Sequence, residues 1–374
     1  MKKSSSIDYL IISSAYPYRG GISDSTHSLV NQMSNQNISS EVWTFKLLYP
    51  KFFFPGKTQY SQEVLKSNFK IVRQINTLNP MNWILSARKI NKISPKKVIF
   101  RYWTPLLSLS YFTISCLLNN RTKVIGLVDN WTGHEKILFE GVLRRLFIKS
   151  CDSFISFSKN VGKKLKNSTN KEVLSLFHPI NDDLPNKISK DEALSNLDLP
   201  SKKYILFIGL IRKYKGVESL IKAFHYASKE HENLRLIIAG EFYDDINIYK
   251  RLIKRKDLEN KVIIDNDFLK SSKIRDYICI SDLIIQPYKK ASQSGITPLA
   301  YYYDKPLVVS NIEGLKEIII EDQSGEIFSE TPANMAVAIK NCINPESNRT
   351  YSNNIAKSKL KYSWLRFVKK VEAF

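Results

Sequence analysis

Cysteine is scarce in this sequence: Cys116, Cys151, Cys279 and Cys342 are the four in 374 residues. They stand far apart, which excludes paired CxxC zinc spacing and a dense disulfide framework, and a reducing compartment is expected. Long apolar runs are missing as well. The longest, residues 106–118, holds three serines, a threonine and a cysteine. It falls short of the roughly 20 apolar residues of a spanning helix, so no segment is expected to cross a membrane. At the N-terminus the apolar run 7–13 contains Asp8 and leads into Tyr16-Pro17 without a small-residue cleavage site. It reads as a first strand and not as a signal peptide. Acidic residues are the third shortage. Asp and Glu number 35 against 57 Lys and Arg, a net charge of +22, which points to an anionic partner. Hydrophobic residues at 43% and charged residues at 25% match globular chains, which excludes disorder and fibrous repeats.

What is present is an alternation of short β-branched runs with longer segments of helical spacing, the signature of parallel sheets with crossover helices. Strands are expected at 9–12, 42–45, 97–100, 124–128 and 153–156, and again at 204–208, 234–238, 262–264, 283–285 and 307–309. A chain of this length favours two domains. The turn-rich stretch 178–185 follows a strand-like run at 173–177 and lies between the two strand series, so the boundary is expected at residue 180.

Charge is uneven across that boundary. Through Ile180 the chain has 26 basic and 9 acidic residues, a surplus of 17, against a surplus of 5 in the remainder. The anionic partner is therefore expected on the N-terminal domain. That domain also holds Phe52, Phe53 and Phe54 between lysines and prolines. Two readings of these phenylalanines stand, a membrane-interface segment or the cover of a domain core. Nucleic acid is not the expected anion, because zinc-finger spacing, an RRM signature and a base-reading basic helix are all missing.

In open α/β sheets, ligands bind beyond the carboxyl ends of strands. The first such loop ends in Gly20-Gly21 before a helical segment, where backbone amides and the helix start suit a phosphate. The second runs from Gly209 through Arg212, Lys213 and Lys215 to Gly216. Cations between a buried strand and a helix start match a diphosphate, and a solvated basic turn is the alternative. The third contains Tyr288 and then Ser292, Gln293, Ser294, Gly295, Ile296 and Thr297. Its amides and hydroxyls are expected to ring an anion, with Thr297 as N-cap and Pro298 at the first helical position. Two further clusters follow strands. One is Asp129-Asn130-Trp131-Thr132-Gly133-His134-Glu135. The other is Glu241-Phe242-Tyr243-Asp244-Asp245, whose carboxylates suit either sugar hydroxyls or a helix N-terminus. Among the five histidines, His27 near the glycine loop and His178 near the boundary also keep site interest.

These stretches, together with Ile238-Ala239-Gly240-Glu241, residues 281–288, Lys305-Pro306-Leu307-Val308-Val309-Ser310-Asn311 and Glu313-Gly314-Leu315-Lys316-Glu317, resemble the GT-B glycosyltransferases of family 4, the bacterial group 1 enzymes. The resemblance covers nearly the whole chain. It implies two Rossmann-like domains facing across a cleft, an acceptor-binding domain at 1–180 and a nucleotide-sugar domain at 181–352. A C-terminal helical segment at 353–374 would cross back to the first domain. It further implies front-face, retaining transfer without a required metal or other cofactor, and neither an Asp-x-Asp motif nor a His/Cys ligand cluster is expected to argue for one. His134 takes the place of the histidine that the family sets against the donor sugar. Arg212 and Lys215 stabilise the departing diphosphate, and Phe268-Leu269 matches the place where the nucleobase packs.

Two departures accompany the resemblance. Ala291 and Leu299 stand where the family usually has glutamates, so those roles are not carried over. Leu210 stands where its arginine usually falls, which makes Arg212 a displaced substitute. The resemblance implies a nucleotide diphosphate sugar and a lipid-linked or oligosaccharide acceptor for cell-surface polysaccharide as partners, and the surplus of 17 positive charges on the N-terminal domain, with Phe52, Phe53 and Phe54, adds an anionic membrane face. The location implied is cytoplasmic, peripheral on the inner face of the plasma membrane. A catalytically silent sugar-binding homologue is the alternative that the missing glutamates raise.

Overall fold

The structure, a computed structural model, describes residues 7–50, 58–61, 67–131, 139–181, 183–329 and 331–374. His134 and the phenylalanines at 52–54 lie outside these residues. The chain divides into two compact units, one of Met1–Asn181 with Ser363–Phe374 and one of Asp182–Tyr362. The boundaries expected at 180 and 352 thus stand beside divisions after Asn181 and Tyr362.

Among the described residues the first unit is built on seven parallel strands: β1 (Tyr9–Ile12), β2 (Ser40–Leu47), β3 (Lys70–Asn76), β4 (Lys97–Tyr102), β5 (Lys123–Val128), β6 (Ser153–Ser156) and β7 (Val173–Ser175). Their spatial order is β3-β2-β1-β4-β5-β6-β7. The central strands are apolar on both faces because helices cover both sides of a parallel sheet. On one side α1 (Gly21–Asn35) and α14 (Trp364–Ala373) share a core with Ile11, Val42, Ile99 and Leu127. On the other, α2 (Pro80–Ile93), α3 (Ser108–Cys116) and α4 (Glu140–Ser150) pack on Phe45, Phe100 and Phe154. The final helix buries Trp364, Phe367, Val368 and Val371, one stripe of a 3.6-residue period. Each such side chain contributes about 1.5–3 kcal/mol by leaving water. Expectation and structure agree that the C-terminal helix returns to the first unit.

The second unit has six parallel strands: β8 (Lys203–Ile208), β9 (Leu234–Ala239), β10 (Val262–Asp265), β11 (Leu283–Gln286), β12 (Leu307–Ser310) and β13 (Gly325–Phe328). Their order is β10-β9-β8-β11-β12-β13. After α5 (Lys159–Lys166) of the first unit and α6 (Lys190–Leu197) ahead of β8, helices α7 (Val217–Glu230), α8 (Ile246–Arg255), α9 (Ser271–Ile280), α10 (Ile296–Tyr302) and α11 (Glu313–Asp322) follow β8 to β12 in turn, and α12 (Pro332–Ile343) and α13 (Pro345–Ser358) follow β13.

Two strands escaped the sequence pattern, β3 and β13. Both are sheet edges. Strand β3 mixes Lys70, Arg73 and Gln74 with apolar residues, and β13 is four residues opening on glycine. Edge strands are half solvated and lack the continuous apolar run that marks a central one.

Candidate functional site

In the second unit the chain winds outward from β8 through β9 and β10, then returns to place β11 on the other side of β8. Strands β8 and β11 are parallel neighbours, with Leu283 opposite Ile205 and Ile284 opposite Leu206. Their carboxyl ends flank the point where the winding direction reverses, the position at which doubly wound sheets open a crevice. The two loops singled out in the sequence, 209–216 and 287–296, leave from these two ends.

The loops are locked together. The Lys289 amide donates to the Tyr214 carbonyl at 2.8 Å. Gly216, at φ +73°, lies so close to Pro287 that an added Cβ would stand 1.9 Å from its carbonyl oxygen. Only glycine combines that approach with a left-handed backbone. Lys215 rests its ammonium 3.7 Å from the centre of the Tyr288 ring, and the Arg212 guanidinium lies 4.8 Å from that of Tyr243. Aromatic faces thus support both cations. Gly209 meets Ile296, whose Cδ1 would lie 3.7 Å from a Cβ there, so Gly209, Lys215, Tyr288 and Ile296 join the two loops at this crevice, while Arg212 leaves the first loop toward Tyr243.

The start of α10 corrects two expectations. Its N-cap is Gly295 and its first residue Ile296, so Thr297 and Pro298 are already helical. The Ile296 amide donates to Ser294 Oγ and the Thr297 amide to the Ser294 carbonyl, each at 3.3 Å. The amides expected to stand open are therefore partly engaged. Thr297 Oγ1 accepts from Gln286 Nε2 at 3.0 Å and is buried at the end of the sheet, so its hydroxyl does not face an anion. Ser294 Oγ lies 3.4 Å from the Tyr288 hydroxyl. The Gln293 side-chain oxygen is buried without a hydrogen-bond partner among the described residues, an acceptor suited to a ligand hydroxyl. Ser292 is buried, and its backbone presses on Gly314, where a Cβ would lie 2.4 Å from the Ala291 carbonyl oxygen and 2.6 Å from the Ser292 carbonyl carbon.

Glu241 is buried beside the same crevice, and its carbonyl accepts from the Ile211 amide at 2.9 Å. It lies ahead of α8, whose cap is Asp245, so the helix-terminus account fits Asp245 and not Glu241. Phe268 and Leu269 separate: Leu269 is buried and Phe268 is 46% exposed. The same region contains an Asp-x-Asp, Asp265-Asn266-Asp267, which corrects the expectation that the chain has none. Its Asp265 accepts from the Tyr277 hydroxyl at 2.8 Å and pairs with Lys273 at 2.6 Å.

In the first unit the equivalent reversal lies between β1 and β4. Gly20 (φ +103°) caps α1 without a side-chain hydrogen bond, and Gly21 opens the helix. Both line a cavity of about 170 Å³ with Tyr18, Arg19, Tyr49, Gln59 and Trp103. Pockets for drug-sized ligands run to roughly 300–1,000 Å³, so this one takes part of a ligand. Trp103 Nε1 donates to the Tyr49 hydroxyl at 2.9 Å, and Gln59 Nε2 to the Tyr49 carbonyl at 3.0 Å. The Gln59 side-chain oxygen is buried and unpartnered among the described residues. His27 and His178 pack against Phe69 and Phe157, at ring separations of 5.1 and 5.4 Å.

Sequence reasoning missed the strut beneath this loop. Arg101, 1% exposed, donates through Nε and Nη2 to both oxygens of Asp129 at 2.8 Å. Its Nη1 donates to the Ile22 carbonyl (3.0 Å) and Thr26 Oγ1 (2.8 Å), and its Nη2 to Ser25 Oγ (2.7 Å). All five guanidinium protons are thereby used, and the first turn of α1 is tied to β4 and to the end of β5. An arginine inside the otherwise apolar run Val98-Ile99-Phe100-Arg101-Tyr102 was the available signal, since such a residue is buried only with a partner.

Two parallel α/β units of this construction define the GT-B class of fold. Residues 189–359 match the model of the family described as glycosyl transferases group 1. An uncharacterized glycosyltransferase of Methanocaldococcus jannaschii is 30% identical over 172 residues, 44% of this chain and 42% of the relative. The chain spans 42–60% of the length of the curated relatives it matches. Among solved structures, sucrose-phosphate synthase from Thermosynechococcus elongatus superposes with a TM-score of 0.79 at 13% identity, covering 98% of both chains. HepE of Anabaena, solved in complex with UDP and glucose, gives 0.71 at 13% identity over 98% of both chains.

Proposed function

We propose that this protein is a retaining family 4 glycosyltransferase that moves a sugar from a nucleotide diphosphate sugar to a lipid-linked or saccharide acceptor in cell-surface polysaccharide assembly. The observation that carries the reading is the pair of interlocked loops at the ends of β8 and β11, with Arg212 and Lys215 on one and the Gln293 oxygen on the other. It lies inside the segment that matches the group 1 family. In this reading the diphosphate sits against Arg212, Lys215 and the Gly295 turn, and Gln293 and Glu241 take hydroxyls of the donor. The bond from the sugar's anomeric carbon to the phosphate oxygen breaks. The acceptor oxygen bonds to that carbon on the same face, and its proton passes to the leaving phosphate. Arg212 and Lys215 offset the charge that develops on the diphosphate, and the reading assigns no metal. The acceptor is assigned to the first unit, at its cavity, although the resemblance gives Gly20 and Gly21 of that cavity to the donor, and His134 keeps the role against the donor sugar that the resemblance implies. Location on the cytoplasmic membrane face is part of the same proposal.

Thermal stability across UDP-, GDP-, ADP- and TDP-sugars tests the donor site. A ligand at 100 times its Kd adds about 2.7 kcal/mol to the folded state. A shift with one nucleotide class that Lys215→Ala abolishes supports the reading, and no shift with any class refutes it. Donor hydrolysis by the wild type distinguishes an enzyme from a silent binding homologue.

A further inference from the structure

Helices α2, α3 and α4 form one layer of the first unit, and their exposed faces share an uncommon composition. Met81 (64% exposed) and Leu85 stand out from α2, with Leu78 just before it. Leu106 and Leu109 stand out at the start of α3, and Phe139 (70% exposed) and Val142 at the start of α4. The three helices run parallel. Asn91 Nδ2 donates to the Leu117 carbonyl at 2.8 Å, joining the carboxyl ends of α2 and α3, and Ser115 Oγ donates to the Ser150 carbonyl at 2.7 Å, joining those of α3 and α4. Among the described residues, seven of the eight exposed large apolar ones between Leu78 and Val142 therefore lie in one band at the helix starts, and the eighth, Leu117, stands at the end of α3. The helix ends carry a second band, formed by the exposed Arg88, Lys89 and Lys92, by Arg121 after α3, and by Arg145 and Lys149. Acid is almost missing. No Asp or Glu occurs between Glu63 and Asp129, against eleven Lys and Arg, and Glu140, the one acidic residue of the three helices, pairs with Arg144.

We infer that this layer docks on an anionic lipid surface, with the apolar band at the acyl boundary and the basic band on the headgroups. Contiguous exposed apolar side chains of this kind mark an interaction site, and the adjoining cations select a negatively charged one. A second copy of the chain would bring two basic bands together. Nucleic acid would leave the Leu, Met and Phe band without a partner. The band also lies at the carboxyl ends of the strands, where Trp103, three residues before Leu106, lines the cavity beside Gly20. A lipid-linked acceptor would thus meet the cavity at the edge of the bilayer. That last step rests on the glycosyltransferase reading, whereas the docking does not.

Cosedimentation of the full chain with vesicles of phosphatidylcholine, with and without phosphatidylglycerol, tests the docking. The wild type is expected to bind the anionic vesicles at least tenfold more tightly. Met81→Glu with Leu109→Glu, and separately Arg88→Glu with Lys92→Glu, are each expected to lower that binding at least tenfold. Thermal melts confirm that the variants fold, and their nucleotide-sugar shifts should equal that of the wild type, so failure of docking and failure of the donor site are read separately. Equal binding to neutral and anionic vesicles, undiminished binding by either folded variant, or DNA retention that survives the apolar substitutions would overturn the proposal. So would self-association in place of vesicle binding.

Discussion

Replacing Arg101 with methionine removes a guanidinium that is 1% exposed and leaves Asp129, itself 4% exposed, with neither of its two 2.8 Å bonds. The Ser25 and Thr26 hydroxyls lose a donor at the same time, so the first turn of α1 is released from β4. Breaking one side of a buried pair costs about 3–5 kcal/mol, because the remaining charge stays desolvated. A unit of 150–250 residues loses about 2–4 °C of Tm per kcal/mol, so Arg101→Met should melt roughly 6–20 °C below the wild type by circular dichroism. The double variant Arg101→Met with Asp129→Leu removes both charges and should recover most of the loss, since apolar replacement of a whole buried pair is often neutral. A single variant within about 1 kcal/mol of the wild type would refute the account of the strut, as would a double variant as unstable as the single.

Two further outcomes are expected. Gly314→Ala should gain about 1 kcal/mol of helix propensity, yet its Cβ would meet the Ala291 carbonyl oxygen at 2.4 Å. The net result should be lower stability and a weaker nucleotide-sugar shift, and a stabilised variant with an unchanged shift would contradict the contact. Lys305 is the pH test. Its ammonium donates to the Cys279 and Ser281 carbonyls at 2.9 and 2.7 Å, and burial lowers its pKa from 10.5 to about 8. Between those values the folded state holds fewer protons than the unfolded one, so stability rises with pH across that window, by at most about 3 kcal/mol. Buried Tyr301 and Tyr303, whose pKa values burial raises, act in the opposite sense at the alkaline end. The measurement is therefore the difference between wild type and Lys305→Met in urea melts from pH 7 to pH 10; a pH-independent difference would contradict it.

The central strands and the second and third loops were legible because a fully buried parallel strand is apolar throughout and the glycines and cations follow directly in sequence. The edges β3 and β13 were not, since half their surface faces water. Gln293 and Ser294 could be named from the chain, but not that the Gln293 oxygen lacks a partner or that Ser294 turns inward to hold the Ile296 and Thr297 amides. The cavity residues Tyr18, Tyr49, Gln59 and Trp103 come from three separate stretches, and nothing in their spacing joins them. Local sequence determined which segments become strands and helices, and where positive charge accumulates, because periodicity and composition act over a few residues. Tertiary structure alone decided that β8 and β11 are neighbours, that Arg101 reaches Asp129 and α1, and that three helices align an apolar band with a basic one. Such pairings depend on the order in which strands assemble, which couples residues many positions apart.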